Sequence, residues 1–299
     1  MTTADSIAAT GSRRTSDHGV PNHEARVKWL LYMLAFLLSL VVFIVPLLWA
    51  MMRSVQPNEV ITAPPEASTF FDFSLVNFSG LGSVGSIPRA VANSVIVALG
   101  AAALTALVAT AAGYGFGRFR FRGSTVAFAL VLVTMMVPFQ AIITPLFMEL
   151  NAMRLTNNLL GLILFYTTVN LPFGVFVMRT AFAALPGELE DAAAVDGAGT
   201  MRALVSVLRP LIIPGVATTA LYAFLASWTE FLGALTFLTD QQLYTLPVAL
   251  LNLQQGAYGS INYGFLAAGA VIAMVPCAVL FLALQRYYVA GLASGAVKG

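Results

Sequence analysis

Four carboxylates, Glu188, Glu190, Asp191 and Asp196, fall within one short stretch reading ELEDAAAVDGAGTMRALVSVLRP, from Glu188 to Pro210, in an otherwise apolar chain. Acids in such a setting must meet water or another protein, because an isolated carboxylate is costly in hydrocarbon. The spacing around them predicts a shape. Pro186 and Gly187 end the apolar run before them. Glu188, Glu190 and Asp191 then occupy a first helical turn, where negative charge suits the free amide ends. Leu189, Ala192, Ala193 and Val195 leave that helix small, smooth faces. Gly197 suits a sharp bend after Asp196, because glycine adopts backbone angles other residues resist. A second helix is predicted from about Thr200, with Met201, Leu204, Val205 and Leu208 recurring on one apolar face. Pro210 opens the next apolar run. The expected product is a short helix, a bend and an amphipathic helix along a membrane surface. Such a knob can dock in a partner's cleft and pass on its movement; the plainer reading is an interfacial loop.

Other side chains offer less. Glu230 is the one acid well inside an apolar run. A central acid costs about 3 kcal/mol on insertion scales, so it faces protein or water. It either lines a polar path or bonds between helices, with Asn170 or Thr229 as expected partners. Gln140, Asn170 and Trp228 are further candidates for a solute path, since amides beside an aromatic face suit sugars. His18 and His23 lie in a polar tail and Cys277 stands alone, which leaves no disulfide and no metal cluster. No cofactor is expected. The chain has no GxxxxGK[ST] phosphate loop, and the glycine-rich run at 113–117 reads as a helix end. No set of His, Cys, Ser and acids points to catalysis. A formal charge of +2 and the lack of a basic, aromatic stripe exclude nucleic acid.

These residues need elements to hold them. Charged residues are 9% and apolar residues 59%, against about 25% charged in soluble domains. The apolar runs reach the roughly 20 residues that cross a bilayer as helix. The fold class is therefore an all-α integral membrane protein with six spans, near 29–52, 90–117, 125–147, 159–184, 211–238 and 263–284. The first reads as a retained anchor rather than a signal peptide. Pro138, Pro172 and Pro276 are expected to kink their spans. The parts are a disordered polar tail (1–28), an anchor and long external loop (29–89), a five-helix core (90–285) containing the acidic loop (185–210), and a short tail (286–299). Twelve of the 15 basic residues fall beside the termini, just after the second span or around the acidic loop; only Arg53, Arg89 and Arg154 lie on the other face. That bias predicts both termini and the acidic loop in the cytoplasm. The outer loops carry Pro57, Pro64, Pro65, Phe70, Phe71, Phe73 and Phe78, then Tyr244, Gln254, Gln255, Tyr258 and Tyr263. They could cover an outer mouth, dock an external partner, or form an aromatic belt. No clear internal repeat is present.

The acidic stretch resembles the E-A-A signature of type I ABC importer permeases. Asp191-Ala192-Ala193 is followed after three residues by Gly197 and nine residues later by Val207-Leu208-Arg209-Pro210. Asp191 stands where glutamate is usual, and Arg209 where leucine is usual. Asn93-Ser94 resembles the opening of the permease core, Tyr114 to Gly123 the turn after its second span, and Ser227-Trp228-Thr229-Glu230-Phe231 the W-N-E-F motif, with Thr229 replacing asparagine. The tail GLASGAVKG resembles the ending of the carbohydrate branch, the maltose G-subunit-like permeases. The resemblance implies a sugar-importing permease subunit in a cell membrane. It further implies a second homologous permease, a pair of cytoplasmic ATPases that receive the acidic loop, and an extracytoplasmic solute-binding protein. The alternatives are the same fold carrying glycerol phosphate or another small solute, or an ion-coupled carrier.

Overall fold

A computed structural model describes residues 23–64, 71–83, 86–256 and 259–296, with side chains at 23–25 and 284–296 excepted. Most of the polar tail, Pro65, Phe70, Tyr258 and the last three residues lie outside them. The chain divides into two compact units, 1–49 and 50–299.

In the first unit, α1 (His23–Ser54) begins earlier than the predicted span. Taken by itself, it carries apolar side chains around its whole circumference, as suits a helix whose solvent is hydrocarbon. In the second unit, α2 (Asn58–Thr62) and α3 (Val76–Leu81) lie in the long loop. α3 is tied back to the stretch before α2 by Asn77, whose Nδ2 donates to the carbonyls of Ser54 and Gln56 at 2.9 and 2.7 Å. α4 (Ile87–Arg118), α7 (Leu159–Ala183) and α10 (Arg209–Thr229) pack together as the centre of the fold.

The α4–α7 contact follows from sequence. Ala101, Thr105, Ala109, Gly113 and Gly117 recur every fourth residue of α4 and so share one face. Small residues let membrane helices approach closely. A methyl on Gly113 would sit 2.4 Å from Met178 Cβ, and one on Gly117 would sit 2.9 Å from Phe182 Cβ. The 113–117 glycines thus lie in the last turns of α4, which ends at Arg118 close to the expected helix end, and two of them also admit α7.

Two predicted spans are broken. The third is α5 (Ser124–Thr134) and α6 (Phe139–Ala152), bent by 98°. Pro138 sits at the bend in extended conformation, which its missing N–H and fixed φ favour. The fifth was expected from 211 to 238. Instead a continuous helix runs from Thr200 to Thr229, through α9 (Thr200–Ala203) and a π-helical turn (Leu204–Leu208) into α10. The wide turn precedes Pro210, which cannot donate to the normal ladder. The separate interfacial helix of the prediction is thus the first part of a long span. Beyond Thr229 the chain turns at Glu230 into α11 (Leu232–Phe237), then α12 (Leu246–Gln254) and α13 (Tyr263–Ala296). Among the described residues, five helices are long and apolar enough to cross a membrane, six if the bent pair is one span. At the end opposite the acidic loop, Asn93 Nδ2 donates to the carbonyls of Gln242 and Tyr244, and Ser94 Oγ accepts from Leu246 N–H.

Candidate functional site: the acidic knob and the membrane-level groups

The acidic stretch folds as α8 (Glu188–Val195), a turn, and then α9. The turn is fixed by backbone. Gly197 has φ +77°, Gly197 N–H donates to Ala194 O at 3.0 Å, and Ala198 N–H to Ala193 O at 2.9 Å. That pair of bonds satisfies the last carbonyls of α8, with glycine in the left-handed position the motif needs. A methyl on Gly197 would meet nothing within 4 Å. The demand for glycine there is therefore conformational and not steric.

The four acids divide. Glu188, Asp191 and Asp196 are exposed, as are Ala192, Gly197 and Val195, the last at 88%. Glu190 turns inward. Tyr114 Oη donates to Glu190 Oε1 at 3.0 Å, and Arg118 Nε lies 3.0 Å from Oε2 as an ion pair whose N–H is not aimed along the contact. The other guanidinium nitrogens of Arg118 donate to Leu185 O and Pro186 O at 2.9 and 3.1 Å. Arg118 thus binds the end of α4 both to the link between α7 and α8 and to the first turn of α8. Its side chain is 11% exposed and that of Glu190 26%, so water screens this pair less than a surface one.

Below it, Leu189, Leu204 and Val207 pack on a core of Met178, Phe182, Leu208 and Ile212. Ala193 is buried, while Met201 and Val205 remain exposed. The predicted apolar face of the second helix is thus only half covered. Pro210 is exposed at the start of α10. Arg179 stands over the Phe128 ring at 4.1 Å, joining α7 to α5. The structure therefore brings together two motifs that the sequence presented separately, the turn after the second span and the acidic loop. Their joint signal was an inward acid beside a Tyr and an Arg one helical turn apart.

The membrane-level candidates separate. Glu230 accepts from Tyr166 Oη at 2.6 Å and from the N–H groups of Gly233 and Ala234. It caps α11 and joins it to α7. The expected partners were Asn170 and Thr229; instead Thr229 bonds to Leu225 O, and Asn170 Nδ2 donates to Tyr166 O and Ser227 Oγ. The three groups satisfy different neighbours because Glu230 sits past the end of α10, where free amides are close by. Asn170 is 5% exposed. Trp228 is 3% exposed, stacks on Phe224 and donates from Nε1 to Ala273 O at 3.0 Å. Gln140 instead lines a cleft at the bend between α5 and α6.

Comparison with known proteins gives concordant results. The family described as "Binding-protein-dependent transport system inner membrane component" matches residues 106–294. A putative ABC transporter permease of Streptomyces antibioticus is 42% identical over 71% of this chain and 92% of its own length. The trehalose transport system permease protein of Mycobacterium tuberculosis is 32% identical over 86% of this chain and 93% of its own. A solved bacterial ABC transporter involved in importing the acidic polysaccharide alginate has the same fold, with a TM-score of 0.78, 18% identity, and coverage of 89% of this chain and 98% of that one.

Proposed function

We propose, for a chain that belongs to the family of binding-protein-dependent inner membrane transport components, that it is the permease subunit of an ATP-driven sugar importer and that α8 is its coupling element. The observation that carries the coupling role is the division of the acids. Glu190 is held from within, and the exposed face of Asp191, Ala192, Val195 and Asp196 is left for a partner. The partners are two cytoplasmic ATPases, a second homologous permease and a solute-binding protein outside. Both termini and α8 lie in the cytoplasm, in line with the basic residues near them.

When the ATPases close, α8 moves with the groove that holds it. The Arg118 contacts and the apolar footing on Phe182 and Leu208 pass the motion to α4, α7 and α10 together. Docked elements of this kind shift between packed states rather than bend freely. Sugar as cargo is supported by the trehalose-transporting relative and by the sugar-branch tail motif. Ion coupling finds no support at Glu230, whose carboxylate is engaged by Tyr166 and backbone amides. The test is reconstitution of the chain with its ATPase, second permease and solute-binding protein. Accumulation of radiolabelled trehalose, maltose or a related sugar only with ATP supports the reading. Accumulation driven by an ion gradient without ATP contradicts it.

A further inference from the structure

We infer that the cleft where the third span breaks is a subsite for an uncharged sugar on its way through the membrane, an inference that rests on the sugar-importer reading above. The cleft has a volume of about 480 Å³, within the roughly 300–1,000 Å³ of small-molecule sites. It is bounded by the α5–α6 bend at Pro138, by Thr168, Pro172 and Phe173 of α7, and by Tyr222 of α10. Thr168 to Phe173 is the middle of α7, so the cleft lies at mid-membrane depth.

Two of its groups are misplaced for hydrocarbon. The Gln140 amide and the Tyr222 hydroxyl have no hydrogen-bond partner among the described residues. The two threonines there are already bonded, Thr134 to Val131 O and Thr168 to Leu164 O. An unpaired amide or hydroxyl in an apolar medium costs several kcal/mol in transfer terms, so these two belong where water or a polar solute passes. Tyr222 also packs on Phe173, ring centroids 4.0 Å apart and tilted by 35°, and stays 41% exposed. It therefore offers a supported aromatic face with a hydroxyl at its edge. An aromatic face for ring C–H groups, flanked by an amide and a phenol for hydroxyls, is the chemistry of a pyranose. Among the described residues no Asp, Glu, Lys or Arg lines the cleft, which favours a neutral sugar over an acidic sugar or a phosphate ester. It also moves the solute-facing role from Asn170 and Trp228, which are buried and bonded to neighbouring helices, to Gln140 and Tyr222.

The test uses the whole transporter in cells, with Cys277→Ser as background and Gln140→Cys or Tyr222→Cys added. A membrane-impermeant methanethiosulfonate is applied to cells and to inverted vesicles under transport conditions. Both cysteines are expected to react, and whichever of trehalose or maltose the parent accumulates should slow the reaction about tenfold; an unsaturated alginate disaccharide should not. Gln140→Leu and Tyr222→Phe should each lower uptake of that neutral sugar about tenfold, the scale of one lost polar contact, with sugar binding to the solute-binding protein unchanged. No reaction from either side would mean that lipid or the second permease covers the cleft, and would overturn the inference. So would reaction indifferent to sugar, or uptake unaltered in both variants, while the importer reading stands. A parent complex that accumulates no sugar would instead remove the reading on which the inference rests, and the inference with it.

Discussion

Glu190 and Asp191 are neighbours with opposite surroundings, and their substitution should separate holding the knob from docking it. Arg118→Ala leaves the Glu190 carboxylate half-buried without its cation and frees the carbonyls of Leu185 and Pro186. We expect a loss of about 1–3 kcal/mol in stability, the usual cost of removing a partner from a charged hydrogen-bonded group, read as a lower unfolding midpoint of the purified chain in mild detergent. Asp191→Ala removes an exposed charge and should leave that midpoint unchanged while lowering ATPase stimulation in the complex. Gly197 separates conformation from size. Gly197→Ala should cost about 1–2 kcal/mol for a left-handed residue, and Gly197→Asn less, although a methyl there meets nothing within 4 Å. Full sugar uptake by Gly197→Ala would contradict the role of the turn. The bend at Gly197 was legible because a left-handed C-terminal turn is local chemistry. Which acid points inward was not legible, since that depends on Arg118 arriving from the distant end of α4.

At the level of elements, the α4–α7 seam and the α10–α11 break carry the next predictions. Gly113→Ala places a methyl against Met178 Cβ and within 2.8 Å of the backbone nitrogen of Arg179. Backbone cannot swing aside as a side chain can, so overpacking should cost about 1–3 kcal/mol, measured by thermal unfolding in detergent against Gly115→Ala, where a methyl meets nothing. Glu230→Ala removes the cap of α11, worth about 0.5–2 kcal/mol, and leaves the buried Tyr166 hydroxyl without its acceptor. Its midpoint should fall further than that of Tyr166→Phe, which leaves the cap in place. Equal midpoints would place the stabilisation elsewhere. The long apolar helices were readable from composition and run length alone. The breaks were not. Pro138 announced a kink, but its 98° size depends on how α5 and α6 pack. The passage of one helix through Pro210 needs a π turn that no hydrophobic pattern marks.

For the whole molecule, composition was decisive for membrane residence and motif spacing for family, because both are dense, local signals. The solute path was only partly visible. Amide and aromatic residues could be picked out, but Trp228 and Asn170 are enclosed by neighbouring helices while Gln140 opens on a cleft. The central claim is that the exposed face of α8 meets an ATPase. It is tested most directly by placing a photoreactive benzoylphenylalanine at Val195, an exposed residue at the end of the helix, in cells that express the complete transporter. Illumination followed by mass spectrometry of the adduct should identify a protein carrying a GxxxxGK[ST] phosphate loop. Adducts with lipid alone, or with a second copy of this chain, in cells that transport normally would contradict the account.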